Sequence, residues 1–326
     1  MYPRISDLFD DLFGVHIPLP LYSFGLMVAV AVLTAAWMAQ KELERMYAAG
    51  QVGPVKTTVK DDKGRTKTVM ASPTVLMGTI TTLVLVLGVA GSKLFHIIDF
   101  WDEFVADPFS MLFATSGLTF YGGLIVGAIG VSTYAHRRGL NVRRLWDAAA
   151  PGLILAYGIG RIGCYLSGDG DWGICSQLED KPGWLPSWLW SETFPRNLVG
   201  PGQTPVDPLL FNAAVRGETC TLPSPDGVYP TMLYEFAVAA ILAAILWALR
   251  KHPFKAGWLF SLYLVFSGVE RFVIEIIRVN PIAAFGLSQS QLISIALVTA
   301  GIVGLALTSR RAATPPAAPA APAVAA

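Results

Sequence analysis

The sequence predicts an all-α, polytopic membrane protein with seven transmembrane helices, its N-terminus outside and its C-terminus in the cytoplasm. Of the 326 residues, 53% are hydrophobic and only 14% are charged, whereas a soluble protein carries about 25% charged residues. The apolar residues come in blocks of about 20, long enough for a helix to cross ~30 Å of hydrocarbon. Lysine and arginine are concentrated in alternate segments between these blocks.

The seven apolar blocks are predicted to be the membrane-spanning helices. They cover residues 17–40, 73–99, 117–136, 147–166, 229–249, 257–278 and 288–308. The N-terminal segment MYPRISDLFDDLFG holds one arginine and three aspartates, which is the wrong charge pattern for a cleavable secretory signal. We therefore expect the first block to be a permanent span.

The distribution of positive charge predicts the orientation. Segments 41–72, 137–146 and 250–256, with the tail after residue 308, hold 16 of the 24 lysine and arginine residues, and the alternate segments hold four. Positively charged loops face the cytoplasm, so these segments are predicted to be cytoplasmic. The net charge of only +1 argues against nucleic acid as a partner.

Residues 1–308 are predicted to form one membrane-embedded domain. Within it, the cytoplasmic loop 41–72 contains KTTVKDDKGRTKTV, in which Thr, Val and Lys alternate around an Asp-Asp-Lys-Gly turn, which is typical of a short basic hairpin. Residues 167–228 form the one large outer loop. Residues 309–326, rich in alanine and proline, are expected to be a disordered tail.

Two of the three cysteines, Cys175 and Cys220, fall in the outer loop. An oxidising compartment permits a disulfide between them, and two separate thiols are the alternative. Cys164, at the end of the fourth block, is either a thiol nucleophile or an inert packing residue.

Ionisable residues at the outer ends of the spans are the candidates for function. Arg161, followed by Asp169 and Asp171, ends the fourth block, and Arg271 with Glu275 lies near the end of the sixth. A charged residue at membrane depth costs about 2.5–3.5 kcal/mol on insertion scales, which marks it as a candidate functional residue. The same outer ends carry further polar or small residues, namely His96, Tyr121, Gly122, Tyr234, Glu235 and Arg278.

Guanidinium groups are planar, permanently charged donors that match phosphate oxygens. Arg271 and Glu275 are four residues apart and so share a helix face, where they form either part of a binding site or a structural ion pair. His96 is either a general base or an interfacial residue. The spacing after Asp169 does not fit a calcium-binding loop, and neither a metal nor another cofactor is expected.

Six motifs together resemble those of the prolipoprotein diacylglyceryl transferase family. The signature is GRIGCYLSGDGDWG at 160–173. In chain order the others are FGLM at 24–27, GSKLF at 91–95, LTFYGG at 118–123, YPTMLYE at 229–235 and RFVIEIIR at 271–278, and SQSQLISI at 288–295 resembles the start of the family's last span.

The resemblance implies transfer of the diacylglyceryl group of phosphatidylglycerol to the lipobox cysteine of a prolipoprotein, with release of glycerol phosphate. Arg161 and Arg271 would clamp the lipid phosphate, and Glu275 would orient Arg271. The head-group pocket would be formed by Asp169, Trp172, Gly173, Tyr234, Glu235, Cys164 and Gly122. The enzyme would be a multi-pass protein of the bacterial inner membrane, with its active site facing the periplasm.

Several polar positions depart from the family pattern, which leaves the general base open. Tyr121 stands where the family has a pocket histidine, and Cys164 stands where it has an asparagine. A phenol with a pKa near 10 is a poor base at neutral pH, so Tyr121 is expected to donate a hydrogen bond. His96 then becomes a candidate for the base, in a place where the family tends to have tyrosine.

These departures leave three alternatives to the implied activity. The first is a diverged transferase that acts on another lipid or another thiol acceptor. The second is a family member without catalytic activity. The third is a lipid-binding or transport protein, in which the buried arginines line a path through the membrane.

Overall fold

The computed structural model describes residues 2–15, 21–60, 66–113, 119–194, 198, 227–278, 280 and 282–310. These residues are mostly α-helical. In chain order the helices are α1 (Ile5–Phe13), α2 (Ser23–Ala48), α3 (Met77–Asp99), α4 (Trp101–Ala106), α5 (Pro108–Phe113), α6 (Phe120–Arg137), α7 (Val142–Ser167), α8 (Ser187–Trp190), α9 (Thr231–Leu249), α10 (Trp258–Ile274) and α11 (Gln289–Thr308).

Short strands and 3₁₀ turns connect the helices. Strands β1 (Val55–Lys60) and β2 (Thr66–Ala71) pair antiparallel, where the alternating sequence predicts a hairpin. Strands β3 (Ile282–Ala284) and β4 (Leu287–Ser288) pair antiparallel just before α11. The 3₁₀ turns are Pro73–Leu76, Leu178–Asp180 and Glu275–Ile277.

A helix lies at each of the seven predicted spans. Among the described residues, five helical segments are long and apolar enough to cross a membrane, namely Ser23–Ala48, Pro73–Asp99, Val142–Ser167, Thr231–Leu249 and Gln289–Thr308. The other two predicted spans correspond to α6, with 18 residues, and α10, with 17. The fold is thus that of a helical membrane protein, while the count of seven spans and the orientation of the termini stay predictions.

The chain divides into two compact units. The first contains residues 1–38 and 149–312, and the second contains residues 39–148 and 313–326. The predicted tail lies largely outside the described residues, as does Cys220. Cys175 is disulfide-bonded, and Cys164 is a free, buried thiol.

The core of the first unit lies where α7, α9 and α10 meet. Its buried residues are Ala150, Ile154, Ala239, Ala243, Leu246 and Leu259. Small residues also let α10 and α11 approach closely: a Cβ atom added at Gly268 would lie 2.8 Å from the carbonyl oxygen of Ser294. Such contacts between small residues are typical of helices packed in a membrane.

In the second unit, α3 and α6 pack together through glycines. A Cβ atom added at Gly91 would lie 2.5 Å from the carbonyl oxygen of Gly122, and one added at Gly122 would lie 2.5 Å from the Cβ atom of Phe95. The backbone N–H of Thr119 also donates to the carbonyl oxygen of Ser92 (3.2 Å). The glycines that weaken the helix propensity of α6 therefore permit its close packing.

Replacing Gly122 with alanine is expected to destabilise the protein. The added methyl group would press on Phe95 and on the backbone of Gly91, and such overpacking costs about 1–3 kcal/mol. Gly127→Ala is the matched control, because it lies on the same helix with nothing within 4 Å of its added Cβ atom. Thermal unfolding in detergent should show a lower midpoint for Gly122→Ala alone, and equal midpoints would contradict the packing argument.

Candidate functional site

Three arginines of the first unit converge on one buried carboxylate, Glu235, in the first turns of α9. The side chain of Glu235 is fully buried. Nη1 of Arg278 donates to its Oε1 (2.8 Å), and Nε of Arg161 lies 2.6 Å from its Oε2. Nη1 of Arg271 lies 3.8 Å from Oε1. The arginines come from different parts of the chain, so Glu235 connects α7, α9 and the end of α10.

Asp171, in the segment that follows α7, joins two of the same arginines. Its Oδ1 accepts from Nη2 of Arg278 (2.6 Å), and its Oδ2 accepts from Nη1 of Arg161. The backbone reaches this place through a tight exit from α7, where Gly168 and Gly170 have positive φ angles that glycine adopts without strain. Oγ1 of Thr231 donates to the carbonyl oxygen of Asp171 (3.0 Å).

The electrostatic surroundings keep Asp171 ionised. Burial alone raises the pKa of Asp171, but the charges of Arg278 and Arg161 outweigh it and lower the pKa to about 2. The contribution of Asp171 to stability is therefore complete above its ordinary pKa near 4 and is lost as the pH falls towards 2.

Glu275 holds Arg271 in place, as the four-residue spacing predicts. Its Oε2 lies 3.0 Å from Nη2 of Arg271, which also donates to Oγ of Ser290 (3.0 Å). Its Oε1 accepts from Oγ of Ser288 (2.5 Å) and from Nδ2 of Asn280 (2.8 Å). A carboxylate with this many partners is fixed, and it fixes the guanidinium group beside it.

Tyr157, also on α7, supports the cluster. It lies one helical turn before Arg161, whose guanidinium carbon is 5.1 Å from the centre of the phenol ring, within the range of a cation–π interaction. The phenol hydroxyl donates to Oε2 of Glu235. Tyr157 therefore contacts both Arg161 and the carboxylate that Arg161 pairs with.

Two buried N–H groups next to this cluster, Nη1 of Arg271 and Nε1 of Trp172, have no hydrogen-bond partner among the described residues. Buried donors in folded proteins are almost always satisfied, so each exception requires an explanation. Nη1 of Arg271 belongs to a guanidinium group, which is suited to an anionic oxygen ligand.

Trp172 and Gly173 are held by a small backbone junction next to the arginines. The N–H of Gly173 donates to the carbonyl oxygen of Tyr229 (2.8 Å), and the N–H of Ile174 donates to that of Ile277 (2.9 Å). Trp172 is 1% exposed and packs in an apolar cluster with Phe194. The junction thereby joins the segment that carries Asp171 to the segment that carries Arg278.

Replacing Gly173 with alanine is expected to lower activity at least about tenfold, because small displacements of binding groups are costly. Its added Cβ atom would lie 2.8 Å from the carbonyl oxygen of Ile277 and 2.9 Å from the Cβ atom of Tyr229. The junction would have to open and shift Arg278. Gly183→Ala, in the same loop and with nothing within 4 Å, should keep wild-type activity. Equal activities would rule out a positioning role for the junction.

The other predicted site residues of this unit lie around the cluster. The hydroxyl of Tyr234 donates to the carbonyl oxygen of Leu189 (2.6 Å). Cys164 is buried in the apolar cluster of Trp172, with Sγ 3.8 Å from Nη1 of Arg161. Asp169 is exposed, and its Oδ1 accepts from the N–H of Asp171 (3.3 Å).

Cys164, Asp169 and Asp171 place one candidate metal-ligand atom each within 4.8 Å of one another. Both carboxylate oxygens of Asp171, however, already accept hydrogen bonds from arginines. At Asp171 the guanidinium groups supply the positive charge that a metal ion would otherwise bring.

His96, Tyr121 and Gly122 belong to the second unit, at one end of the α3–α6 pair. Phe95 and Gly122 are in contact, and His96 and Tyr121 are their direct neighbours in the chain. The ring of His96 lies 4.7 Å from that of Phe100, and the ring of Tyr121 lies 5.6 Å from that of Phe120. Their roles in the chemistry stay predictions.

Sequence reasoning named Asp171 and Arg278 as candidates without giving them a specific role, and it did not single out Tyr157. A signal existed for two of them. Arg278 lies seven residues after Arg271, about two helical turns, and Tyr157 lies four residues before Arg161, so each shares a helix face with a residue already singled out. For Asp171 the sequence contains no such signal. The backbone conformation of the Gly168–Gly170 turn decides whether Asp169 or Asp171 contacts the arginines.

Comparison with known proteins decides the family. The family model described as prolipoprotein diacylglyceryl transferase matches residues 12–307. The chain belongs to the prolipoprotein diacylglyceryl transferase family. The resemblance drawn from the six motifs is thereby confirmed, and the protein is an enzyme, a transferase.

Relatives along nearly the whole chain carry names of the same activity. Phosphatidylglycerol–prolipoprotein diacylglyceryl transferase 2 of Clostridium perfringens is 27% identical, over 90% of this chain and 91% of its own length. The phosphatidylglycerol–prolipoprotein diacylglyceryl transferases of Bacillus cereus and Leptospira interrogans are each 26% identical. The first match covers 88% of this chain and 87% of the relative, and the second covers 92% of both.

Proposed function

We propose that this member of the family transfers the diacylglyceryl group of phosphatidylglycerol to the lipobox cysteine thiol of a prolipoprotein and releases glycerol phosphate. The observation that carries the proposal is Nη1 of Arg271, a buried guanidinium donor without a hydrogen-bond partner beside a cluster of ion pairs. A phosphodiester oxygen is an acceptor that suits such a donor. The names of the relatives support the same substrates.

In the proposed reaction the thiolate of the acceptor attacks the glyceryl carbon that carries the phosphate ester. The C–S bond forms as the C–O bond breaks, and the electron pair stays on the phosphate oxygen. Negative charge thus accumulates on the leaving group in the transition state. Arg161 and Arg271 stabilise that charge without reorganisation, because Glu235 and Glu275 already hold them in position.

The thiol must lose its proton before it attacks, since the thiolate is the nucleophile. His96 is the proposed base, and Tyr121 is the proposed hydrogen-bond donor. The head-group pocket is assigned to Trp172, Gly173 and Tyr234 with Asp169 and Cys164. The buried indole N–H of Trp172 without a partner is suited to a glycerol or phosphate oxygen.

The proposed location is the bacterial inner membrane, with seven spans and the arginine cluster on the periplasmic side. The alternation of segments rich in lysine and arginine with segments poor in both supports this orientation. So does the disulfide bond of Cys175, which lies four residues after Asp171 in the outer loop, because disulfides persist in oxidising compartments.

The test uses the purified full-length protein in detergent, with phosphatidylglycerol and a synthetic lipobox peptide. We expect the peptide to gain one diacylglyceryl group and glycerol phosphate to appear in equal amount. A peptide with serine in place of the lipobox cysteine is the control and should stay unmodified. Modification with phosphatidylethanolamine but not phosphatidylglycerol would favour a diverged lipid donor, and no modification with either lipid would overturn the proposal.

A further inference from the structure

Glu270 is a buried carboxyl group that the ion pairs described above do not use. It lies on α10, directly before Arg271, and is 9% exposed. Its Oε1 is buried and has no hydrogen-bond partner among the described residues. The carboxylates Asp171, Glu235 and Glu275, by contrast, each contact arginine at 3.0 Å or less.

The side chain of Glu270 shares a helix face with residues that pack into the core. Tyr263 and Phe266, seven and four residues earlier on α10, pack against the core formed with α7 and α9. Residues at this spacing lie one above the other on a helix. Glu270 therefore lies on the core-facing side of α10, towards the end of α7 that carries Arg161 and the end of α9 that carries Glu235. The arginine cluster lies at those ends.

Charged and titratable groups of each packed element surround Glu270. It interacts electrostatically with Arg271 on its own helix, Glu235 on α9, Arg161 and Tyr157 on α7, and Arg278 beyond α10. The remaining neighbour, α11, contains no titratable residue. The charged groups that act on Glu270 are thus those of the arginine cluster.

The charge balance of this cluster favours a neutral Glu270. Three arginines already face three paired carboxylates, so the cluster has no net charge without Glu270. An ionised fourth carboxylate would be buried with an oxygen that accepts no hydrogen bond, which is strongly unfavourable. A carboxylic acid avoids this cost and keeps a proton available next to the arginines.

We propose that Glu270 enters the reaction as a neutral acid and donates its proton to the phosphate oxygen of the departing glycerol phosphate, an inference that rests on the proposed transferase function. When the C–O bond breaks, the phosphodiester monoanion becomes a monoester that would carry a second negative charge. The proton of Glu270 neutralises that charge, and the arginines balance the carboxylate left behind. The thiol proton leaves with its own base, and Glu270 regains a proton from water after product release.

The test compares the wild type with Glu270→Gln and Glu270→Asp by measuring kcat and KM for phosphatidylglycerol across pH. The acid form of Glu270 is required, so wild-type kcat should fall as the pH rises through its ionisation. Glu270→Gln should lower kcat by about 10²-fold, a typical effect of removing a general acid, and should lose this falling limb with KM nearly unchanged. Glu270→Asp should restore part of kcat together with the falling limb.

A structural role is separated from a chemical one by thermal unfolding. Glutamine is neutral and has the same shape as protonated glutamate. If Glu270 is neutral in the resting protein, Glu270→Gln should therefore leave the unfolding midpoint unchanged. Glu42→Gln is the matched control for losing a buried carboxylate elsewhere, since Glu42 is 1% exposed and pairs with Arg45 in the second unit. Glu42→Gln should lower the midpoint and leave the pH profile of kcat as in the wild type.

The outcomes distinguish the two proposals. A wild type that transfers nothing from phosphatidylglycerol would overturn the proposed function and this inference with it. If the wild type is active and the pH profile of kcat for Glu270→Gln is parallel to that of the wild type, the inference about Glu270 is overturned and the proposed function stands. A Glu270→Gln variant with a strongly lowered unfolding midpoint would also overturn the inference, because the resting structure would then need the ionised group.

Discussion

Arg161→Lys is expected to lower kcat for diacylglyceryl transfer by about 10²–10³-fold, the range found when one preorganised transition-state donor is removed. Arg161 contacts Asp171 through Nη1 and Glu235 through Nε, and a single ammonium group cannot reproduce these two directions. Lysine keeps the charge, so the variant tests the geometry of the guanidinium group. The measurement is the rate of diacylglyceryl transfer to the lipobox peptide at saturating phosphatidylglycerol.

Arg143→Lys is the matched control, because Arg143 lies on the same helix, α7, near its opposite end, and is exposed. It should transfer at the wild-type rate. If Arg161→Lys were as active as Arg143→Lys, the proposal that Arg161 stabilises the leaving group would have to be abandoned.

Glu235→Gln is expected to destabilise the protein by about 3–5 kcal/mol, the cost of breaking a buried ion pair from one side. Glu235 is fully buried and lies within 4 Å of Arg161, Arg271 and Arg278. A neutral amide would leave three guanidinium groups in a buried site with one negative charge fewer. The unfolding midpoint in detergent should fall strongly, and transfer should fall with it.

The comparison for Glu235→Gln is Glu44→Gln. Glu44 pairs with Lys41 at 3.3 Å, but both side chains are more than half exposed, and exposed pairs contribute only about 0–1 kcal/mol. Its midpoint should therefore stay close to that of the wild type. Equal midpoints for the two variants would show that the Glu235 network does not support the fold.

Much of the site can be predicted from the sequence because charged residues are rare in apolar helices. Arg161 and Arg271 stand out since an arginine near the end of an apolar block has a high free-energy cost unless it has a function or a partner. The pairing of Arg271 with Glu275 follows from helical spacing alone. The places of the long helices follow from the same apolar blocks, to within a few residues at most ends.

What the sequence leaves open depends on chain segments that meet only in the folded protein. Glu235 contacts arginines that lie 74, 36 and 43 residues away along the chain, and no local pattern carries that information. The selection of Asp171 over Asp169 depends on the backbone of two glycines with positive φ. The sequence does not predict a role for Glu270, because nothing in it distinguishes this residue from other charged residues near Arg271.

The central claim is that the arginine cluster binds the phosphate of phosphatidylglycerol. Solid-state NMR of the full-length protein, ¹⁵N-labelled at arginine and reconstituted with phosphatidylglycerol, measures this directly through the dipolar coupling between ³¹P and the guanidinium nitrogens. We expect a phosphate oxygen within about 3 Å of a guanidinium nitrogen, hence a ³¹P–¹⁵N coupling that Arg161→Lys weakens and Arg143→Lys leaves intact. Absence of this coupling in the active wild-type protein, or an undiminished coupling in Arg161→Lys, would contradict the claim.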